Sequence, residues 1–499
     1  MSHPIHIGID TGTQGTKAVA FDPVCGETVA HAHAGYAVDE GENGSREQHP
    51  RVWIDAIRAC LREIFKSVDP ARVRGIGVSG QQHGCVALDA GGNVLLPAKL
   101  WCDTSTVAEC GEITERAGGA DRVLAITGSG LAAGFTASKI LHFKKNHPDL
   151  WQRAATIFLP HDYINFWLTG ERCMEPGDAS GTGLFDFKKR EWSPGMIRAV
   201  DDSGVLAAAL PEIIQYADTA AGMVRPEIAA EFGLGADTRV SCGGGDNMMA
   251  AIGTGNTRPG VVTCSLGTSG TLFAYSNAPV SDPGAELAGF CSSCGGWLPL
   301  VCTMNVTVVT EQTRQLLGLD LKTFDAHVAA ARPGAGGLRF LPYLNGERTP
   351  ALPRARGTLA GATTTNLTPQ NLCRAAMEGA TLGLRYGLGI LRRQDIQPRE
   401  IRLVGGGAKS AVWRQLCADI FNVPVVCPAG VEAGAMGAAL QAMWCFERAT
   451  GNVVSLGEIT DSFVRLDPST RTPPNPENAA AYDAVYENYL SLNTAMAPW

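Results

Sequence analysis

The sequence predicts an α/β protein made of two duplicated halves. Three features of the 499-residue chain carry that expectation. Apolar, strand-like runs alternate with stretches of helical periodicity. A strand, a Gly-Thr turn and a return strand occur twice, and an apolar strand ending in three glycines also occurs twice.

The first strand-turn-strand unit runs from Ile5 to Asp22 around Asp10-Thr11-Gly12-Thr13-Gln14-Gly15-Thr16. Its return strand, Lys17 to Phe21, makes it a β-hairpin rather than a strand entering a helix. The second unit, Val261 to Tyr275, repeats the turn through Gly267, Thr268, Gly270 and Thr271, 255 positions later. That spacing is too long for a solenoid period and points to duplication of a whole domain. The glycine triplets follow the same logic. Arg239–Cys242 leads into Gly243-Gly244-Gly245 and Asp246, and Ile401–Val404 leads into Gly405-Gly406-Gly407 and Ala408. Helical stretches follow both (247–252 and 410–421), so both triplets are expected at strand-to-helix turns that aim backbone N–H groups at a ligand. Helices are also expected over 50–65, over 136–146, and from the capping pair Thr368-Pro369 to about Arg393. The expected division is 1–253, 254–445, and an added extension over 446–499, with an extended connector at 470–476 and a last helix over about 477–492.

Composition narrows the function. The chain is 45% hydrophobic and 18% charged, as a globular protein with a real core would be. A net charge of −8 argues against a nucleic-acid partner and for a small-molecule substrate. The start MSHPIHIGID has no basic segment leading into an apolar stretch, and no run suits a membrane span, so a cytoplasmic protein is expected, with a homodimer as the default assembly. Fifteen scattered cysteines read as small buried side chains, and the lone Cys291/Cys294 pair lacks the second pair a structural zinc site needs.

The turns suggest the chemistry. Gly12 and Thr13, and again Gly267 and Thr268, can cradle phosphate, because glycine lets the backbone approach and threonine adds a hydroxyl donor. The dipeptide Gly-Lys never occurs, which excludes a Walker-type phosphate loop. Asp10, just before the first turn, is placed to hold magnesium through water, whereas the second copy has Ser265 there. Asp246 follows three glycines, so its carboxylate can enter a cleft and accept the proton of an attacking hydroxyl; the second triplet has Ala408 instead. Asp10 and Asp246 together supply the carboxylates that phosphoryl transfer with Mg2+ requires. The run Ser79-Gly80-Gln81-Gln82-His83-Gly84 groups amides and an imidazole suited to a polyhydroxylated ligand.

These residues resemble the FGGY carbohydrate kinases over nearly the whole chain. The shared segments, in order, include GIDTGTQGTK, SGQQHG, Leu100-Trp101-Cys102-Asp103, FTASK, LPHDY, GDASGT, GGGDN, SLGTSG, LPYLNGERTP and GGGAKS. The resemblance implies an actin-like, ribonuclease-H-like ATPase core in each half, with sugar and ATP meeting in the cleft between. It implies Asp246 as proton acceptor, and Gln82, His83, Trp101, Asp103 and Asn247 beside the sugar. Thr13 and Thr268, with Gly12, Gln14 and Gly267, would contact phosphate, and Gly406, Gly407, Ala408 and Ser410 the adenosine. The implied reaction is ATP-dependent phosphorylation of a ketopentose, D-xylulose first, with ribulose, glycerol and gluconate as alternatives.

Three positions depart from the family pattern on the sugar side. Gln82 stands where xylulose-phosphorylating members often have methionine, Ser105 where LWxDxR has arginine, and His142 where tryptophan is common. In the phosphate turn, Gln14 replaces a frequent serine. Two other classes share the fold: an actin- or chaperone-like ATPase without a sugar, and a silent sugar-binding regulator. Asp246 and the run 81–83 weigh against the first, and Asp246 with both threonine turns weighs against the second.

Overall fold

The computed structural model describes residues 3–430 and 432–496. Both Gly-Thr units are antiparallel hairpins, Ile5–Thr11 with Gly15–Asp22 and Val261–Leu266 with Gly270–Ala274. Each opens a seven-stranded mixed sheet. In the first, the order is Ala220–Met223, Arg239–Ser241, Val73–Gly80, Ile5–Thr11, Gly15–Asp22, Glu27–Gly35, with Gly244–Gly245 also on Val73–Gly80. In the second it is Ala288–Cys291, Trp297–Thr303, Gly270–Ala274, Val261–Leu266, Glu400–Val404, Val425–Pro428, Leu466–Thr472.

This order corrects how the glycine triplets correspond. The strand Glu400–Val404 lies parallel and directly beside Val261–Leu266. Its counterpart in the first sheet is therefore Val73–Gly80, which lies parallel beside Ile5–Thr11. Arg239–Ser241 sits one strand further out, the place taken by Val425–Pro428 in the second sheet. The topological partner of Gly405-Gly406-Gly407 is thus the run after Gly80 that carries Gln82 and His83. The triplets share a local need rather than a position: a Cβ at Gly243 would come within 2.6 Å of the Val78 carbonyl oxygen, and one at Gly405 within 2.8 Å of that of Leu266.

Helix ends follow local chemistry. The helix Pro369–Arg393 starts where Thr368 accepts a hydrogen bond from the N–H of Asn371 and proline fills the first turn. The helices Arg51–Ile64 and Thr136–Asn146 bury their apolar faces in the first half. The last residues are not an appendage. Leu466–Thr472 pairs antiparallel with Val425–Pro428 as an edge strand of the second sheet, and the helix Ala433–Ala449 runs unbroken through the expected boundary. The final helix, Pro476–Met496, buries Tyr482 and Tyr489, and Tyr482 bonds to Glu378 and Arg374 of the long helix.

The two halves meet on glycine. The helix Ala433–Ala449 lies in sequence between the last two strands of the second sheet, yet it packs against the first sheet and against the helix Asp246–Gly253. A Cβ at Gly437 would sit 1.8 Å from the carbonyl oxygen of Met249, and one at Gly8 would sit 1.8 Å from that of Ala435. Backbone cannot yield there, so the approach exists only without side chains. Gly437→Ala is expected to lower stability by about 3 kcal/mol or more. Thermal unfolding measures this, and an unchanged melting temperature would contradict the packing.

Candidate active site

Between the halves lies a cavity of about 790 Å³ lined by Gln82, His83, Trp101, Asp246 and Asn247 from the first half and by Ser265, Ser269 and Arg348 from the second. That is ample for a small polyol and a phosphate group.

Asp246 is the first residue of the helix Asp246–Gly253, delivered there by the extended glycines before it. Its Oδ1 accepts from the backbone N–H of Asn247 (2.7 Å) and from Asn247 Nδ2 (3.0 Å). Burial, and then the negative charge of Asp10, push its carboxyl up to about 7. Asp10, at the end of the first strand, accepts from Ser79 Oγ at 2.6 Å and is likewise raised, chiefly by burial. Gly434 lies against the Asp10 carboxylate, where a Cβ would come within 2.8 Å, so the helix joining the halves forms one wall at Asp10.

Gln82 links the base to a buried charge cluster. Its Oε1 accepts from Asn247 Nδ2 at 2.9 Å, and its Nε2 donates to Asp178 Oδ1 at 3.5 Å. Asp178 Oδ2 in turn bonds His161 Nδ1 at 2.9 Å, and His161 Nε2 lies 2.9 Å from Asp162. Burial disfavours the charged imidazole, but the carboxylates win and raise His161 well above its ordinary value. Gly245 is glycine because Gln82 packs across it, with Cγ 2.7 Å from where a Cβ would stand.

His83 occupies a left-handed backbone conformation (φ 63°), its ring 4.7 Å from that of Phe135 and 5.7 Å from that of Phe290. Burial first, then the charges of Lys139 and Arg348, hold it well below its usual proton affinity. A neutral imidazole results, and its Nδ1 has no hydrogen-bond partner among the described residues. The buried Lys139 of FTASK donates to the carbonyls of His83 (2.7 Å) and Gly134 (2.5 Å), fixing the loop. Burial lowers this amine to about 7.

The remaining expected residues fall into two groups. Trp101, half exposed, donates from Nε1 to Thr13 Oγ1 at 2.9 Å, joining the sugar-side run to the first turn. Gly12 closes its turn by donating to the Gly15 carbonyl (3.0 Å), and Gln14 is exposed. The carbonyls of Gly267 and Thr268 accept from Thr307 and Val306, leaving the Thr268 side chain exposed. Gly406 has open space where a side chain would be, while Gly407 and Ala408 pack inward. Ser410 is a helix cap: its Oγ accepts from the N–H of Trp413 and lies 2.8 Å from Asp325. Asp103 departs from expectation. It is fully buried, outside the cavity wall, and accepts from Arg46 N, Lys99 Nζ and both the N–H and Oγ of Ser105. Burial alone would raise its carboxyl, but these donors hold it below the ordinary range. Ser105, in place of arginine, thus serves Asp103 together with Lys99, which donates to Ser105 Oγ at 3.0 Å. All fifteen cysteines are free thiols.

Comparison with known proteins decides the family. The N-terminal domain of the FGGY family of carbohydrate kinases matches residues 5–253 and the C-terminal domain matches 262–446. The chain belongs to the FGGY carbohydrate kinases. This FGGY kinase is 44% identical to the xylulose kinase of Haemophilus influenzae over 493 residues, 98% of this chain and 99% of that one. Its fold matches the ligand-bound xylulose kinase of Lactobacillus acidophilus with a TM-score of 0.91 at 27% identity, covering 99% and 98% of the two chains. The gluconate kinase from the same organism matches equally well, with a TM-score of 0.92 at 27% identity and 99% of both chains covered. The overall shape therefore selects an ATP-dependent sugar kinase without selecting the sugar. No helix among the described residues is long and apolar enough to cross a membrane.

Asp246 makes stability depend on pH. An unfolded chain releases its proton near an ordinary aspartate value of about 4, whereas the folded protein keeps it to about 7. Between these values the folded state binds the extra proton, so stability falls as pH rises through that window. Asp246→Asn, which cannot ionise, is expected to melt above the parent at pH 8 and close to it at pH 4. Calorimetry without nucleotide checks this, and equal melting temperatures at pH 8 would contradict it.

Proposed function

We propose that this kinase transfers the γ-phosphoryl group of ATP to the terminal hydroxyl of a ketopentose, D-xylulose first, giving the 5-phosphate. The observation that carries the reading is the half-buried carboxyl of Asp246, held by Asn247 at the junction of the sugar-side run and the cleft. The full-length likeness to a xylulose kinase supports the choice of sugar.

In this reading the ionised Asp246 accepts the hydroxyl proton, the freed oxygen forms a bond to the γ-phosphorus, and the bond to the β–γ bridging oxygen breaks to release ADP. Asn247 and Gln82 orient the base, and neutral His83 can both donate to and accept from sugar hydroxyls. The Gly12-Thr13-Gln14 and Gly267-Thr268 turns receive the phosphates, and Gly406 to Ser410 border the adenosine. Two carboxyls of raised proton affinity, the charge of one felt at the other, suit a divalent cation. Asp10 and Asp246 would hold Mg2+, which neutralises phosphate charge when bound. The lobes 1–253 and 254–445 close over the substrates, excluding water. The reading carries a cytoplasmic homodimer as the working form.

Sugar-dependent ADP release over a panel of D-xylulose, D-ribulose, glycerol and gluconate tests the assignment. D-xylulose is expected to give the highest kcat/KM, and a faster rate with another sugar would reassign the substrate. Asp246→Ala is expected to lower kcat by about 10³-fold while nucleotide still binds. Because the base acts ionised, kcat/KM of the parent should rise with pH through about 7, and a profile flat from pH 6 to 8 would remove Asp246 from that role.

A further inference from the structure

The segment LPYLNGERTP plays no part in the chemistry so far, yet it places Arg348 on the second-half wall of the cavity that holds Asp246. Among the described residues lining that cavity, Arg348 is the only lysine or arginine. The acidic groups beside it are already satisfied. Glu347, buried, accepts from the N–H groups of Met304 (2.6 Å) and Arg348 (2.8 Å) and from Asn305 Nδ2 (3.0 Å). Glu286 accepts from the N–H of Ala351 and from the Tyr386 hydroxyl, both at 2.8 Å. Arg348 itself is exposed to the cleft and forms no ion pair with a described residue. Its backbone, by contrast, is pinned: Glu347 and Leu352 exchange two backbone hydrogen bonds of 2.9 and 3.0 Å, and Thr349 Oγ1 donates to the Glu286 carbonyl at 3.2 Å. A fixed root with a free guanidinium is how a protein presents a cation to a ligand.

Phosphoryl transfer needs such a cation. Charge spreads over the oxygens of the group in transit, and catalysis consists mainly of positioning and neutralising it. The Gly-Thr turns bring N–H and hydroxyl donors but no positive side chain. Lys17, beside the first turn, is engaged with Glu432 at 2.7 Å. Arg348 is close enough to the sugar-side loop for its charge to be felt at His83.

We infer that Arg348 binds the phosphoryl group as it passes from nucleotide to sugar, a catalytic residue supplied by the half opposite Asp246. The inference rests on the kinase reading above, and its test uses whichever sugar the parent enzyme turns over fastest, so that reassigning the sugar leaves the test intact. Arg348→Gln is expected to lower kcat about 100-fold, with the KM of the sugar within about threefold of the parent. The same variant should weaken product inhibition by the sugar phosphate at least tenfold. Arg348→Lys, which keeps the charge but loses the bidentate fork, should recover part of kcat. An unchanged kcat would overturn the inference. So would a rise in the sugar KM at constant kcat, which would make Arg348 a contact to sugar hydroxyls. The side chain is exposed, and a melting temperature matching the parent separates these outcomes from misfolding.

Discussion

The close contact of the helix Ala433–Ala449 with the first half is the constraint on which the site depends. Glycines at 8, 77, 253 and 437 each face a backbone carbonyl within 2.0 Å of where a side chain would begin. Backbone against backbone at that range leaves no room for sliding, so the helix fixes the first sheet relative to the helix Asp246–Gly253. Both helices begin at the active site: one places Gly434 against Asp10, and the other starts at Asp246 itself. The contact that joins the halves also sets the spacing of the two carboxylates.

That spacing creates an electrostatic problem with a functional use. Two acids withdrawn from water next to each other each hold protons more tightly, and the folded protein is less stable with both ionised. Behind them the protein adds further carboxylates but pairs them, with His161 between Asp162 and Asp178. Asp246 lines the cleft and Asp10 stands behind it, and neither forms an ion pair with a described residue. A site of this kind gains most from ligands that bring positive charge, and it gives the proposed base a proton affinity near neutrality. The opposite wall is arranged in the reverse sense, with Glu347 and Glu286 bound to donors and Arg348 left uncommitted. The two halves thus present complementary charge across the space where a phosphoryl group would move.

Local signals in the sequence were read correctly wherever the chemistry was local. Both hairpins, the Thr368-Pro369 helix start and the Asp246 helix follow from turn residues, caps and periodicity a few positions apart. Asp103, set beside the sugar by resemblance, is held outside the cavity wall by Arg46, Lys99 and Ser105, an arrangement that depends on the strand Arg46–Gln48 pairing with Ala98–Lys99. Arg348 had a signal, a Glu-Arg pair inside a shared segment, but nothing local says that Glu347 turns inward and Arg348 outward.

The sequence by itself determined the duplication, the α/β class, the two Gly-Thr hairpins and the place of Asp246 at a strand-to-helix turn, because glycine spacing and strand-turn patterns are properties of short segments. Only the tertiary structure decided which strands correspond between the halves, since two identical glycine triplets occupy different sheet positions and sheet order depends on pairing over hundreds of residues. It also decided that the helix Ala433–Ala449 joins the halves and that the last strand and helix complete the second one. Such contacts depend on shape at a distance in sequence, where neither propensity nor periodicity reaches.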